Sequence, residues 1–149
     1  MADAIWAANG PMSFVLDASV ALKLVSPEPG TIEAQALLDR DGERIAPDWM
    51  PTEVASGLAK KMRYERLSPT SALKSFAAVP AFIDRFVEAK PLLDRAMKLA
   101  ARLDHPLCDC LYLLIAIDEE GILVRADDGL LKAAERSGYA NRMERLTWT

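Results

Sequence analysis

Four acidic residues stand at positions where an acid needs a chemical explanation: Asp17, Glu53, Asp109 and Asp127. Asp109 is the clearest case, because it lies inside HPLCDCLYLLIAI, residues 105–117, which is otherwise almost entirely apolar. An ionised carboxylate is costly to bury unless a cation or a hydrogen-bond donor meets it. Asp109 therefore either pairs with a buried partner or faces a pocket that uses its charge.

Two of the acids follow short apolar segments that are typical of buried strands. Asp17 comes directly after Phe-Val-Leu at 14–16, and Asp127 follows Ile-Leu-Val at 122–124 after two intervening residues. In open α/β sheets, ligands bind in the crevice beyond the carboxyl ends of the strands. Two acids at two such strand ends are candidates for one shared site.

The other two acids, Glu53 and Asp109, lie near the starts of predicted helices. If both helices begin at the same rim, four carboxylates converge, repel one another and raise each other's pKa. A divalent cation resolves this conflict, and Mg²⁺ or Mn²⁺ prefers the oxygen ligands that carboxylates supply. Zinc is disfavoured, because the chain has one histidine, His105, and no CxxC or HxH pair.

Each acid also has a purely structural explanation. Asp17 could cap the helix that starts at the next residue. Glu53 and Asp127 could complement the positive ends of helix dipoles. Asp109 could belong to a buried salt bridge, although its helix is apolar nearly all round and offers no obvious solvated face for an acid. His105 most simply helps to start that helix.

Short apolar strands alternate with helices along the chain. The pattern predicts strands at 14–16, 44–47, 83–87 and 122–124, an edge strand at 145–148, and helices at 18–25, 31–38, 53–65, 70–79, 91–103, 107–120 and 128–137. Thr31 and Ser68 are predicted helix caps. This alternation predicts an α/β protein whose parallel sheet is covered by helices on both faces. We predict one domain over 14–149 and a flexible tail over 1–13.

Composition fits an ordinary soluble domain. The 149 residues carry 22 acidic and 18 basic side chains, and the net charge of −4 gives no hint of a nucleic-acid partner. The longest apolar run is far shorter than the roughly 20 residues that a membrane helix needs, and the first residues do not resemble a signal peptide. Cys108 and Cys110 point in different directions on a helix and cannot form a disulfide with each other. Two free cysteines are typical of a reducing compartment. We expect a cytoplasmic protein with no membrane partner.

Four segments in order resemble the acidic motifs of PIN-domain ribonucleases, and their spacing is especially similar to that of VapC-type toxins from prokaryotic toxin–antitoxin pairs. The segments are FVLDASVALKL, PTEVASGL, CDCLYLLIAI and LVRADDGLLKAA, which together span about residues 14–137. Each segment alone is a weak signal, whereas four in order are specific. The resemblance implies a PIN-like three-layer fold in which helices flank a central parallel sheet.

The resemblance also implies an activity and a set of partners. It implies a Mg²⁺- or Mn²⁺-dependent endoribonuclease that acts as the toxin of a type II pair, with RNA as substrate, a VapB-like antitoxin as partner and a homodimer as assembly. The metal would neutralise the scissile phosphate and activate a water molecule. The catalytic acids implied are Asp17, Glu53, Asp109 and Asp127.

The implied roles of these residues differ. Asp17 and Asp109 would ligate the metal directly, while Glu53 and Asp127 would bind a second ion or hold metal-bound water. Ser19 falls where the family commonly keeps a small polar residue, which could orient Asp17 or a water molecule. Helix capping explains Ser19 equally well.

One residue departs from the family's pattern. The last motif usually has Ser or Thr two residues before its acid, and this chain has Arg125 there. Arg125 could pair with Asp127 or Asp128 and withdraw that acid from metal binding, or it could contact RNA phosphates. Alternation along the strand puts Arg125 and Asp127 on one face, which slightly favours pairing. Asp128 could also replace Asp127 as the fourth acid.

The helix over 53–65 carries candidate RNA contacts. Lys60 and Tyr64 share a face with Gly57 by helical spacing, and Lys61 lies at its edge. The lysines could meet phosphates, Tyr64 could stack on a base, and Gly57 would leave room for the RNA. A solvated lysine pair explains the same residues equally well. The neighbouring face is the predicted core stripe, made of Val54, Leu58 and Met62.

Two other functions compete with a nuclease. A catalytically inactive PIN-like module would keep the fold and bind a protein partner, and a missing acid would reveal it, but the first three acids are present. A phosphotransfer or signalling domain would use Asp17 as phosphoacceptor, but DASV lacks the second acid of a DxDx motif. A metal titration followed by an RNA cleavage assay separates the three functions.

Overall fold

In the computed structural model, which describes residues 12–149, five parallel strands form one sheet. They are β1 Met12–Leu16, β2 Gly42–Pro47, β3 Arg85–Val87, β4 Ile122–Arg125 and β5 Met143–Arg145, in the spatial order β3-β2-β1-β4-β5. Phe14 of β1 pairs with Arg44 of β2 on one side and with Ile122 of β4 on the other. β1 is therefore the central strand.

Helices pack on both faces of this sheet. They are α1 Ala18–Val25, α2 Thr31–Ala36, α3 Met50–Tyr64, α4 Pro69–Ala77, α5 Leu93–Leu103, α6 Leu107–Asp118 and α7 Gly129–Arg136. Alternate residues of β1 belong to two separate apolar clusters. Val15 packs in the larger cluster, and Phe14 and Leu16 pack in the smaller one. The predicted α/β architecture, a central parallel sheet flanked by helices, is confirmed.

The order of the strands creates a switch point beside β1. The chain runs outward from β1 to β2 and β3, then returns to β4 on the other side of β1. At such a reversal the connections leave in opposite directions and open a crevice beyond the carboxyl ends of the two central strands. The residues that follow β1 and β4 therefore lie beside one another.

Some element boundaries differ from the sequence-based prediction. β1 begins at Met12, so residues 12 and 13 belong to the sheet, while residues 1–11 of the predicted tail lie outside the described residues. The last strand is Met143–Arg145 rather than 145–148, because Met143 already pairs with Leu123 of β4. No helix within residues 12–149 is long and apolar enough to cross a membrane.

The two predicted helix caps have different outcomes. The Ser68 hydroxyl accepts a hydrogen bond from the Ser71 N–H at 3.1 Å and caps α4, as predicted. Thr31 is instead the first residue of α2, and the cap position belongs to Gly30 with φ 93°. That left-handed backbone favours glycine, and the Thr31 hydroxyl bonds the preceding loop through the Glu28 N–H at 3.0 Å.

Candidate active site

Asp17 lies at the switch point, directly after β1, and caps α1. Its N–H donates to the Val124 carbonyl at 3.1 Å, and its Oδ2 accepts from the Ser19 N–H at 2.9 Å. The Ser19 hydroxyl donates to the same Oδ2 and accepts from the Ala126 N–H at 3.2 Å. Ser19 therefore both completes the cap and orients the carboxylate of Asp17, leaving its other oxygen directed towards the acid cluster.

Arg125, the last residue of β4, places its guanidinium between three acids. Nη1 lies 3.0 Å from Asp109 Oδ1 and 3.8 Å from Asp17 Oδ1, and Nη2 donates to Asp127 Oδ2 at 3.0 Å. The side chain is only 7% exposed. The structure thus shows the pairing that alternation along the strand favours, because the nearby carboxylates draw the guanidinium inward, and the RNA contact of Arg125 stays an untested alternative.

Burial and charge act in opposite directions at this cluster. Burial raises the pKa of Asp17, while the Arg125 guanidinium and the hydrogen bonds from Ser19 lower it, with a net rise. Burial lowers the pKa of Arg125, but the negative charges of Asp17 and Asp109 raise it by more. The net pKa is therefore above its ordinary value, and the guanidinium stays protonated. The buried carboxylate of Asp17 thus depends on the internal cation Arg125.

Asp109 has a partner at each carboxylate oxygen. Its Oδ2 lies 2.7 Å from His105 Nε2, and its Oδ1 faces Arg125. It occupies the first turn of α6, whose following residues, 110–116, are buried. The sequence predicts only that His105 helps to start the helix. Its spacing of four residues from Asp109 could have predicted their contact, because residues four apart are neighbours on a helix.

Glu53 lies in the first turn of α3 and lines the same cleft as Asp17. Burial, together with the negative charges of Asp17 and Asp109, raises the pKa of Glu53 to about 7, while a hydrogen bond with Tyr112 lowers it. The Tyr112 hydroxyl also accepts from the Ala18 N–H at 3.2 Å. The fully buried Tyr112 thus links the start of α1 to Glu53.

Tyr112 was not predicted as part of the site. Its ring packs against Trp49 with the centroids 4.6 Å apart, and it is 0% exposed. A sequence signal did exist, because Tyr112 lies one helical turn after Asp109 and carries the polar group of an otherwise apolar helix face. A buried tyrosine hydroxyl usually has a hydrogen-bond partner, and here the partner is the Ala18 N–H, next in the chain to Asp17.

Of the two neighbouring acids after β4, Asp127 is the one that joins the cluster. Its Oδ2 pairs with Arg125, and its Oδ1 accepts from the Gly129 N–H at 3.3 Å at the start of α7. Asp128 instead lies 3.8 Å from Lys132 at the surface. The structure therefore brings Asp127 to the cluster and leaves Asp128 outside it.

Three of the four acids, Asp17, Glu53 and Asp127, line a cleft of about 360 Å³ at the carboxyl ends of β1 and β4, and Asp109 reaches it through its contact with Arg125. Its lining includes Asp17, Ser19, Glu53, Gly57, Lys60, Arg125 and Asp127. Lys60 is exposed on α3 at the edge of the cleft, where an approaching phosphate would meet it. Gly57 lines the cleft and also allows α3 to pack closely on α1, since a Cβ there would lie 2.9 Å from Leu22.

Lys61 and Tyr64 lie away from this cleft. The Lys61 ammonium is buried, lies 2.6 Å from a Glu28 carboxylate oxygen and donates to the Ser26 hydroxyl at 3.1 Å. The Lys61 ammonium is therefore already paired with the partly exposed carboxylate of Glu28, which disfavours the predicted contact of Lys61 with phosphates. Tyr64 is 72% exposed and is absent from the lining of the cleft.

The acid cluster has suitable ligand atoms for a divalent cation but not a suitable arrangement. Carboxylate oxygens are the ligands that Mg²⁺ and Mn²⁺ prefer. Among residues 12–149, however, no three Asp, Glu, His or Cys side chains are placed to hold a metal ion together. The guanidinium of Arg125 lies where the carboxylates of Asp17 and Asp109 converge.

Comparisons with known proteins agree with the fold. The solved structure of PAE2754 from Pyrobaculum aerophilum superimposes with a TM-score of 0.65 at 20% identity, covering 82% of this chain and 79% of that chain. Identity this low shows the fold alone. No curated protein matches the sequence. Residues 14–136 match the PIN domain. The chain therefore belongs to the PIN domain family, which is generally a family of nucleases.

Proposed function

We propose that this chain is a divalent-metal-dependent endoribonuclease whose active site is the acidic cleft. One observation carries the proposal, namely that four acids from separate elements of the fold meet at the switch point of the sheet: Asp17, Glu53, Asp109 and Asp127. Such a cluster opposes folding through charge repulsion, so a functional reason for it is expected. The nuclease family supplies that reason.

Neighbouring polar side chains contact three of the acids and restrict or tune them. Ser19 orients Asp17, His105 orients Asp109, and Tyr112 lowers the pKa of Glu53. Side chains locked in this way keep acidic ligands in a fixed geometry.

The metal ion and the RNA would bind different side chains of the cleft. Asp17 and Asp109 would hold the cation on the buried side, and Glu53 and Asp127 would complete its surroundings on the open side. When bound, the cation would neutralise charge on the phosphate in the transition state. Lys60, at the edge of the cleft, would bind a neighbouring phosphate of the RNA.

The direct test is cleavage of a single-stranded RNA by the purified protein with Mg²⁺ or Mn²⁺. We expect cleavage to require the metal, to stop with EDTA and to be lost in Asp17→Asn. The matched control is Asp94→Asn, which removes an exposed acid of α5 outside the cleft and should keep full activity. Undiminished cleavage after thorough chelation would exclude the metal mechanism.

The role as a type II toxin is part of the same proposal and is supported by the motif order. Expression of the active chain alone should arrest growth, and a small VapB-like antitoxin should restore it. Asp17→Asn should remove the arrest. We also propose a homodimer, which sedimentation would detect. A harmless wild-type chain at verified soluble levels would contradict the toxin role while leaving the nuclease assay to decide the activity.

A second candidate function, a catalytically inactive protein-binding module, is favoured by the placement of Arg125. A buried guanidinium that pairs with three acids offsets part of their charge in the absence of metal. The RNA cleavage assay separates the two candidates, because the module would not cleave RNA at any metal concentration.

A further inference from the structure

Arg125 occupies the part of the cleft that a metal ion would need. Its Nη1 lies 3.0 Å from Asp109, which is partly exposed, and 3.8 Å from Asp17, which is the buried acid of the cluster. Among residues 12–149, no other cation lies within 4.0 Å of the Asp17 carboxylate. A second cation bound to the same oxygens would be repelled by the guanidinium, because like charges at such distances oppose one another strongly where water is largely excluded.

The guanidinium is held mainly by charge. Its side chain is 7% exposed, yet within the described residues Nε and Nη1 have no hydrogen-bond partner of good geometry. A buried donor without a partner is unfavourable. The guanidinium is thus attracted to the cluster but incompletely satisfied there, as expected for a group that another cation can displace.

We infer that Arg125 is a built-in cation of the acid cluster and that a divalent metal ion binds Asp17 and Asp109 only by displacing its guanidinium. The inference rests on the proposed function insofar as it concerns the metal of the same site. It predicts that the wild-type chain binds metal weakly and that removal of the guanidinium charge strengthens binding.

Two substitutions separate the charge of Arg125 from its shape. Arg125→Met keeps an unbranched side chain but removes the charge, and we expect it to lower the Kd for Mn²⁺, measured by calorimetry, about tenfold or more. Arg125→Lys keeps a cation and should stay within about threefold of the wild-type Kd. Arg95→Met, which removes an exposed arginine paired with Asp118 on another face, is the control and should leave the Kd unchanged.

A second measurement on the wild-type chain covers the case in which Arg125→Met does not fold. Titration with Mg²⁺ should shift the Nε–H signal of Arg125 in a nitrogen-15 NMR spectrum, while the Arg95 signal stays in place. The inference is overturned if Arg125→Met folds and binds Mn²⁺ no more tightly than the wild type. It is also overturned if the Arg125 signal does not respond to Mg²⁺. Neither readout uses RNA, so failure of the nuclease assay is a separate result.

Discussion

At the scale of single residues, the contacts of Asp109 reverse the expected effect of Asp109→Asn on the stability of the metal-free protein. The sequence alone predicts that Asp17 and Asp109 repel one another without metal, so that Asp109→Asn would stabilise the metal-free protein. The structure instead gives Asp109 a partner at each oxygen, His105 and Arg125. Removing its charge deprives a buried guanidinium of a close carboxylate, and this loss outweighs the relief of repulsion.

We therefore expect Asp109→Asn to lower the free energy of unfolding by about 1–3 kcal/mol, the range for leaving a buried partner unsatisfied. Thermal denaturation in EDTA measures this change without interference from bound metal. Asp94→Asn, at an exposed position of α5, is the control and should unfold like the wild type. A higher melting temperature for Asp109→Asn would show that repulsion dominates the cluster after all.

The residues of the site differ in how far sequence could predict them. The four acids are predictable, because strand ends and helix starts place them at one rim before any side-chain contact is known. Alternation along the strand also predicts the pairing of Arg125 with Asp127. The contacts of Arg125 with Asp17 and Asp109 and the place of Tyr112 are not predictable, since they depend on what these long side chains reach in three dimensions. A strand position sets only the face of the sheet on which Arg125 lies.

At the scale of elements, a buried ion cluster connects α1, α3 and the loop between α1 and α2. Glu28 of this loop lies 2.9 Å from the Lys23 ammonium and 2.6 Å from the Lys61 ammonium. The buried stripe of α3 therefore runs through Val54, Leu58 and Lys61, while the predicted Met62 is 37% exposed. An apolar pattern could not predict this, because the inward lysine depends on an acid from a distant loop.

This cluster makes stability depend on pH. Burial raises the pKa of Glu28, but Lys61 and Lys23 lower it more, so the net pKa is below its ordinary value. The unfolded chain therefore binds a proton at Glu28 more readily than the folded one. The contribution of Glu28 is fully present above its unfolded pKa and is lost as the pH falls through its lower folded pKa.

We expect Glu28→Gln to lower the free energy of unfolding near neutral pH by about 1–3 kcal/mol, because it leaves two nearly buried ammonium groups without their carboxylate. The difference from the wild type should shrink as the solution is acidified through the folded pKa of Glu28. Urea denaturation at several pH values measures it, with exposed Glu135→Gln as control. A difference that does not change with pH would show that the charge of Glu28 has no part in it.

At the scale of the whole molecule, the alternation of elements predicts the fold and the rim at which the acids lie, whereas the order of the strands in the sheet decides which acids are neighbours. Apolar segments at 14–16 and 122–124 indicate buried strands, and their parallel pairing follows from the helices between them. The adjacency of β1 and β4 is what joins Asp17 to Asp127. Local patterns do not contain that adjacency, which depends on the packing of the complete sheet.

The position of β1 between β2 and β4 has a consequence for synthesis of the chain on the ribosome. One edge of β1 can pair with β2 early, but its other edge must wait for Ile122–Arg125 to emerge. Contacts between segments so distant in sequence form late and slowly. The acidic cleft, which needs Asp127 as well as Asp17, is therefore assembled only after nearly the whole described chain has been translated. A nascent chain from which Ile122–Arg125 has not yet emerged would lack the completed cleft.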